Sequence, residues 1–107
     1  MPTRKREFEM KKYRVNSSEL FNLDSMYEHL KCMEIDAIET GRWPEGLEEK
    51  IEEVENLMDK VSGVGSLVDW PTLMRIREIK NERQMIRYNT CLSKGATEED
   101  AALAFTI

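Results

Sequence analysis

Apolar residues recur at every third or fourth position along most of this 107-residue chain. The clearest run comprises Leu47, Ile51, Val54, Met58 and Val61. At about 100° per residue this spacing places the five side chains on one side of an α-helix, whereas a strand repeats every two residues. The chain must therefore bury helical stripes against one another. We predict an all-α fold.

Cap residues and glycines set the expected bounds of the first two helices. Ser17 or Ser18 can cap the first helix, and Gly41 is a natural stop. The turn "GRWPEG" follows, and we predict a second helix from Pro44 or Glu45 to position 62. A short connection of this kind favours an antiparallel hairpin of the two helices.

The remaining helices are predicted from similar signals. Asp69 is a good cap for a longer third helix, which we expect to end near Lys94, with Gly95 as its stop. Thr97 then caps a short C-terminal helix. The tryptophans beside Pro44 and Pro71 are expected to pack into the core at these helix junctions.

The N-terminal segment "MPTRKREFEMKKYRV" does not fit the helical pattern. It could form an edge strand or a short helix, but chain termini are commonly loose. We therefore predict a basic N-terminal arm at residues 1–15 and a single helical domain at residues 16–107. The length suits one domain.

Charge is segregated along a chain whose net charge is −5. Residues 16–70 carry fourteen acids and four bases, whereas residues 71–94 carry six bases and two acids. Residues 1–15 carry six bases and two acids. Such asymmetry indicates pairing within the chain, across a dimer, or with a charged partner.

Helical projection predicts three surfaces. The acidic face of the second helix comprises Glu48, Glu49, Glu52, Glu53, Glu55 and Asp59. The basic face of the third helix comprises Arg77, Lys80, Arg83 and Arg87. A self-association stripe, nearly opposite an isoleucine stripe on the third helix, comprises Met74, Met85, Tyr88 and Leu92. The basic face could relieve repulsion among the acids, and a solvated acidic face is the alternative.

No pattern in the sequence favours catalysis or a cofactor. His29 and Cys32 are three residues apart, but Cys91 has no close companion, so a four-ligand zinc site is not expected. Gly63 and Gly65 lack the residues that complete a phosphate-binding loop. We predict a protein that is not an enzyme and that holds no metal or cofactor.

The number of cysteines and the hydropathy indicate the cellular compartment. Two cysteines do not make a disulfide framework, which favours a reducing compartment such as the cytoplasm. The apolar runs are too short to span a bilayer, so no membrane association is expected.

The leading functional hypothesis is a small regulator, adaptor or inhibitor that binds a protein. Its acidic helical face would mimic the charge of nucleic acid and bind a basic, nucleic-acid-handling protein. The alternative is a nucleic-acid-binding accessory protein that uses the basic arm and the basic face, although the pI near 5.0 argues against it. A helical subunit of a larger assembly is the third possibility.

Self-association is the last expectation. Two opposed apolar stripes on one helix must both be buried, and the short C-terminal helix offers little area. A two-fold homodimer would cover the self-association stripe economically. The competing account is that Phe8, Met10 and Tyr13 fold back over that stripe and leave a monomer.

Overall fold

The computed structural model describes residues 11–105. The elements are β1 (Tyr13–Arg14), α1 (Ser17–Thr40), α2 (Leu47–Asp59), β2 (Leu67–Val68), α3 (Trp70–Ser93), α4 (Glu98–Ala101) and a 3-10 turn (Ala102–Phe105). The predicted all-α architecture is confirmed, with a two-stranded ribbon added. The third helix is longer than α2, but α1 and α3 both have 24 residues.

The caps explain where the long helices begin. Asn16, not Ser17 or Ser18, caps α1, because its side chain accepts a hydrogen bond from the Glu19 amide while the Glu19 carboxylate accepts one from the Asn16 amide. Asp69 caps α3 as predicted, and its side chain accepts a bond from the Thr72 amide at 2.9 Å.

The second helix is shorter than the sequence indicates. It begins at Leu47 because Gly46 adopts a left-handed conformation with φ 78°, which breaks the helix between Pro44 and Leu47. It ends at Asp59 rather than at position 62. Gly41, also left-handed, ends α1 where predicted.

Part of the predicted arm belongs to the folded domain. Tyr13 and Arg14 pair antiparallel with Val68 and Leu67, and Val15 is only 1% exposed. The edge-strand alternative therefore holds for this end of the segment, because Val15 needs burial and the β2 backbone offers hydrogen bonds. Residues 1–10 of the predicted arm, including Phe8 and Met10, lie outside the described residues.

The core forms where α1 packs against both α2 and α3. Its most deeply buried large side chains, all less than 2% exposed, are Leu23, Met26, Leu73, Ile76, Ile79, Val15 and Val54. The C-terminal segment, α4 and the 3-10 turn, packs only against α3 among the larger contacts, and it buries Ala101 and Ala104. The third helix is thus covered on more than one side.

Candidate functional site

The predicted acidic face of α2 divides into one internal and five exposed carboxylates. Glu53 is half-buried and turned towards α3, where its oxygens accept bonds from Arg75 at 2.6 and 3.0 Å. The exposed members, which form no ion pair within residues 11–105, are Glu48, Glu49, Glu52, Glu55 and Asp59. We call these five the open acidic face.

Arg75 is the central charge between α2 and α3. Besides Glu53 it contacts Glu82 at 3.0 Å and Glu78 at 3.3 Å. Lys50 joins Glu53 and Glu82, at 3.3 Å from each. The bonds from Arg75 lower the pKa of Glu53, and the bonds from Glu53 and Glu82 raise the pKa of Arg75. Helical projection missed Arg75, because it lies apart from the predicted basic face.

The predicted basic face of α3 turns towards α1 rather than towards the acids of α2. The Arg77 Nε donates to Glu19 at 2.7 Å, and that carboxylate is 6% exposed. Arg83 is buried, with its guanidinium 5.1 Å from the centre of the Phe21 ring. Lys80 is exposed and Arg87 is half-buried. The idea that these four cations neutralise the acidic face within one chain is therefore wrong.

Trp43 lies in the turn between α1 and α2 and is 48% exposed. It borders a hollow of about 330 Å³ whose walls include Pro44, Leu47, Glu48 and Glu49. The expectation that both tryptophans pack into the core is wrong, because the turn holds Trp43 at the surface and Trp70 is 36% exposed. An apolar anchor thus adjoins the first turn of the open acidic face.

Trp70 lies at the other helix junction and is more covered. Its ring is 4.9 Å from the ring of Tyr13, and the Arg77 guanidinium lies 5.9 Å from it. Tyr13, in strand β1, therefore provides an aromatic contact for Trp70. The side chain is still 36% exposed.

The self-association stripe is partly covered by the C-terminal segment. Tyr88 contacts Phe105, with ring centres 5.4 Å apart. Tyr88, Met74 and Leu92 are half-buried, whereas Met85 is 48% exposed. The C-terminal segment therefore covers more of the stripe than its alanine-rich sequence indicates, because Phe105 supplies an aromatic contact.

Comparisons with protein-family models, curated proteins and solved structures find no match to this chain. Within the described residues there is no group of three or more histidine, cysteine or acidic side chains that could hold a metal ion. No helix in residues 11–105 is both long enough and apolar enough to cross a bilayer. The surfaces of the chain itself are the remaining guide to function.

Proposed function

We propose that this protein is a non-enzymatic adaptor or inhibitor that binds a basic protein through the open acidic face of α2 and the hollow beside Trp43. The main support is a difference in ion pairing among the six acids of α2. Glu53 is satisfied within the chain, while its five neighbours project into solvent without an ion pair among residues 11–105. Repulsion among them costs a few tenths of a kcal/mol per close pair.

The spacing of these acids resembles that of nucleic-acid charge. From Glu48 to Asp59 the helix rises about 16 Å, at ~1.5 Å per residue. The five charges are separated by four intervals that average about 4.1 Å along the axis, of the same order as the ~3.4 Å per phosphate of one DNA strand. We therefore infer that the partner presents a basic surface of the kind that contacts nucleic acid.

Trp43 adds specificity to this electrostatic surface. Charged rims mainly speed association and select partners, whereas buried aromatic anchors provide much of the binding free energy. Trp43 and the hollow bordered by Leu47 lie beside Glu48 and Glu49. A basic partner with one apolar side chain for this hollow would combine both contributions.

Nucleic-acid binding through α3 is the second candidate, and the structure favours it less. Arg77 is paired with Glu19 and Arg83 is buried against Phe21. Only Lys80 and Arg87 of the basic face remain for a phosphate backbone. Homodimerisation through Met85 and the rest of the stripe, membership of a larger assembly and a cytoplasmic location remain further proposals.

Affinity capture from the source cell with matched variants tests the proposal. The triple variant Glu48→Gln, Glu49→Gln and Glu52→Gln neutralises three of the five carboxylates of the open acidic face. Its control, Asp24→Asn, Asp36→Asn and Glu39→Gln, removes the same charge from exposed positions of α1.

We expect one basic protein to bind wild type and the α1 variant, to be lost with the α2 variant, and to be displaced by added DNA. Equal capture by both triple variants would contradict the proposal. Direct binding of a labelled oligonucleotide to the wild-type protein, weakened by Lys80→Gln, would favour the second candidate instead.

A further inference from the structure

The end of the molecule formed by β1 and β2 carries exposed apolar side chains beside a cluster of cations. We call it the ribbon end and define it as residues 11–16 and 60–70. Its large apolar side chains at the surface, between 36 and 67% exposed, are Val64, Leu67 and Trp70. Its four exposed cations are Lys11, Lys12, Arg14 and Lys60. Asp69 is the one carboxylate in these two ranges, so the ribbon end is basic although the chain is acidic.

Val64 stands at the tip of a turn whose shape is fixed by hydrogen bonds. The Ser66 amide and hydroxyl both donate to the Gly63 carbonyl, at 3.1 and 2.6 Å. The Gly65 amide donates to the Val15 carbonyl at 2.8 Å. Gly65 has φ 88°, a conformation that other residues rarely adopt. The turn therefore holds Val64 in solvent, where the side chain is 67% exposed.

Leu67 lies on the same side of the ribbon as a cation. Arg14 is its direct partner in the antiparallel register, and the side chains of opposed residues lie on one face. Lys12 and Lys60 approach this region from two other segments. Both charges act on Asp69, whose pKa is lowered first by its hydrogen bonds to the first turn of α3 and then by these two lysines. Apolar and cationic side chains therefore adjoin one another at the ribbon end.

The two aromatic rings of the ribbon end are already in contact with neighbours. The Tyr13 and Trp70 rings are 4.9 Å apart. The Lys11 ammonium lies 5.4 Å from the centre of the first ring, and the Arg77 guanidinium lies 5.9 Å from that of the second. Nucleic-acid bases stack on free aromatic faces, and these contacts leave little such area. Tyrosine and tryptophan that are apolar on one side and wet on the other are typical of a membrane interface.

We propose that the ribbon end binds peripherally to a bilayer that carries anionic lipids. Val64 and Leu67 leave water at the headgroup boundary, and the cations face the negative headgroups. A nucleic-acid backbone offers these two aliphatic side chains no apolar surface, which also favours lipid. A peripheral contact needs no spanning segment. The proposal therefore departs from the sequence-based expectation of no membrane association, which considered spanning runs alone.

The acidic face of α2 opposes this contact little, because its first turn lies towards the other end of the molecule. The ribbon adjoins the N-terminal ends of α1 and α3, whereas Glu48 follows the turn at the C-terminal end of α1. A 24-residue helix is about 36 Å long, which is several Debye lengths. Asp59, the last acid of α2, is followed directly by Lys60. A bilayer at the ribbon end leaves the hollow beside Trp43 open, and the proposal does not depend on the function of the acidic face.

Sedimentation of the full chain with vesicles tests the proposal. The two compositions are phosphatidylcholine alone and phosphatidylcholine with about one-third phosphatidylserine, at about 0.1 M salt. We expect binding to the mixed vesicles only, weakened about tenfold when the salt is raised to about 0.5 M. No binding to the mixed vesicles, or equal binding to both compositions, would overturn the proposal.

Variants of the apolar side chains locate the contact. Val64→Ser with Leu67→Ser should weaken binding to the mixed vesicles about tenfold, because it removes the side chains that leave water. The matched control is Ile38→Ser with Ile35→Ser, which changes two α1 side chains of nearly equal exposure, 67 and 54%. The control should leave the affinity within about twofold. Equal losses with both pairs would contradict a contact at the ribbon end.

Variants of the cations test the electrostatic part. Lys12→Gln with Arg14→Gln should weaken binding about tenfold. The matched control is Arg42→Gln with Lys94→Gln, two exposed cations just beyond the C-terminal ends of α1 and α3, and it should change the affinity less than about twofold. Equal effects of the two pairs would show a diffuse attraction and refute the proposal. Binding of a labelled single-stranded oligonucleotide in place of the vesicles, weakened by the Lys12 and Arg14 changes alone, would assign the surface to nucleic acid instead.

Discussion

The acidic face of α2 and the basic face of α3 have similar charge densities in the sequence but different environments in the fold. Five of six acids on α2 remain exposed, whereas two of the four cations of the basic face are engaged with α1. The shape of the arginine side chain explains part of this difference, because its long apolar stem can be buried while its planar guanidinium pairs or stacks. Glutamate has a shorter stem and gains less from such burial.

The position of each face relative to α1 explains the rest. The apolar side of α2 contacts α1, so the opposite side of α2 projects into solvent. On α3 the cations flank the buried stripe, and Arg83 belongs to the buried set itself. Charge on a helix is therefore most available to a partner when it lies opposite the packing contact.

The largest expected change in stability is at Glu19, the buried carboxylate that pairs with Arg77. Glu19→Ala removes one half of the α1 capping box and the bond to Arg77, so we expect a loss of about 2 kcal/mol in the free energy of unfolding. Glu48→Ala on the open acidic face should change it by less than about 0.5 kcal/mol. Urea unfolding measures both, and equal losses would contradict the account.

The next effect concerns Arg75, which connects α2 to α3. Arg75→Met leaves Glu53 and Glu82 with Lys50 alone, and we expect a loss of about 1 kcal/mol, since the site is partly exposed. Lys80→Met is the matched control and should have almost no effect. Urea is the suitable denaturant because it adds no salt. A Lys80 variant as destabilised as the Arg75 variant would refute the assignment.

A pH effect distinguishes Glu53 from Glu52. Arg75 lowers the pKa of Glu53 in the folded protein below its ordinary value of 4.5. This stabilisation is therefore present above that ordinary value and is lost as the pH falls through the folded pKa. Glu53→Gln should reduce stability at pH 7 and flatten its fall between about pH 5 and pH 3. Glu52→Gln should not flatten this fall, and thermal unfolding at several pH values checks both.

The smallest effect has the opposite sign. Glu52 lies three or four residues from Glu48, Glu49 and Glu55. Glu52→Gln should raise the free energy of unfolding by about 0.5 kcal/mol through relief of repulsion, while it weakens capture of the basic partner. A gain in stability together with a loss of binding would identify the acids as functional. Destabilisation by Glu52→Gln would mean that Glu52 has a stabilising partner.

The sequence predicts the four helices well because their apolar spacing, Asp69, Gly41 and Thr97 are local signals. It predicts the open acidic face for the same reason, since that face is opposite a clear seam. It cannot predict the pairing of Arg75 with Glu53, because that depends on how α2 and α3 lie across α1.

The misjudged residues share a dependence on contacts between distant segments. Val15 is buried because β2 arrives beside it, and Trp43 is exposed because the left-handed Gly46 displaces the start of α2. Helical projection puts Arg83 on an open basic face, yet in the fold Phe21 covers it. In a helical projection Arg83 lies on the same side as Ile79 and Ile86, and this position in an apolar stripe indicates burial.

Site-specific photo-crosslinking in the source cell tests the central proposal most directly. A photoreactive amino acid at position 52 reports on the open acidic face, and one at position 24 reports on an exposed acidic position of α1. The account predicts a single dominant adduct with a basic protein from position 52, lost at high salt and with Trp43→Ala, and no such adduct from position 24. The same adducts from both positions, or none from position 52, would contradict it.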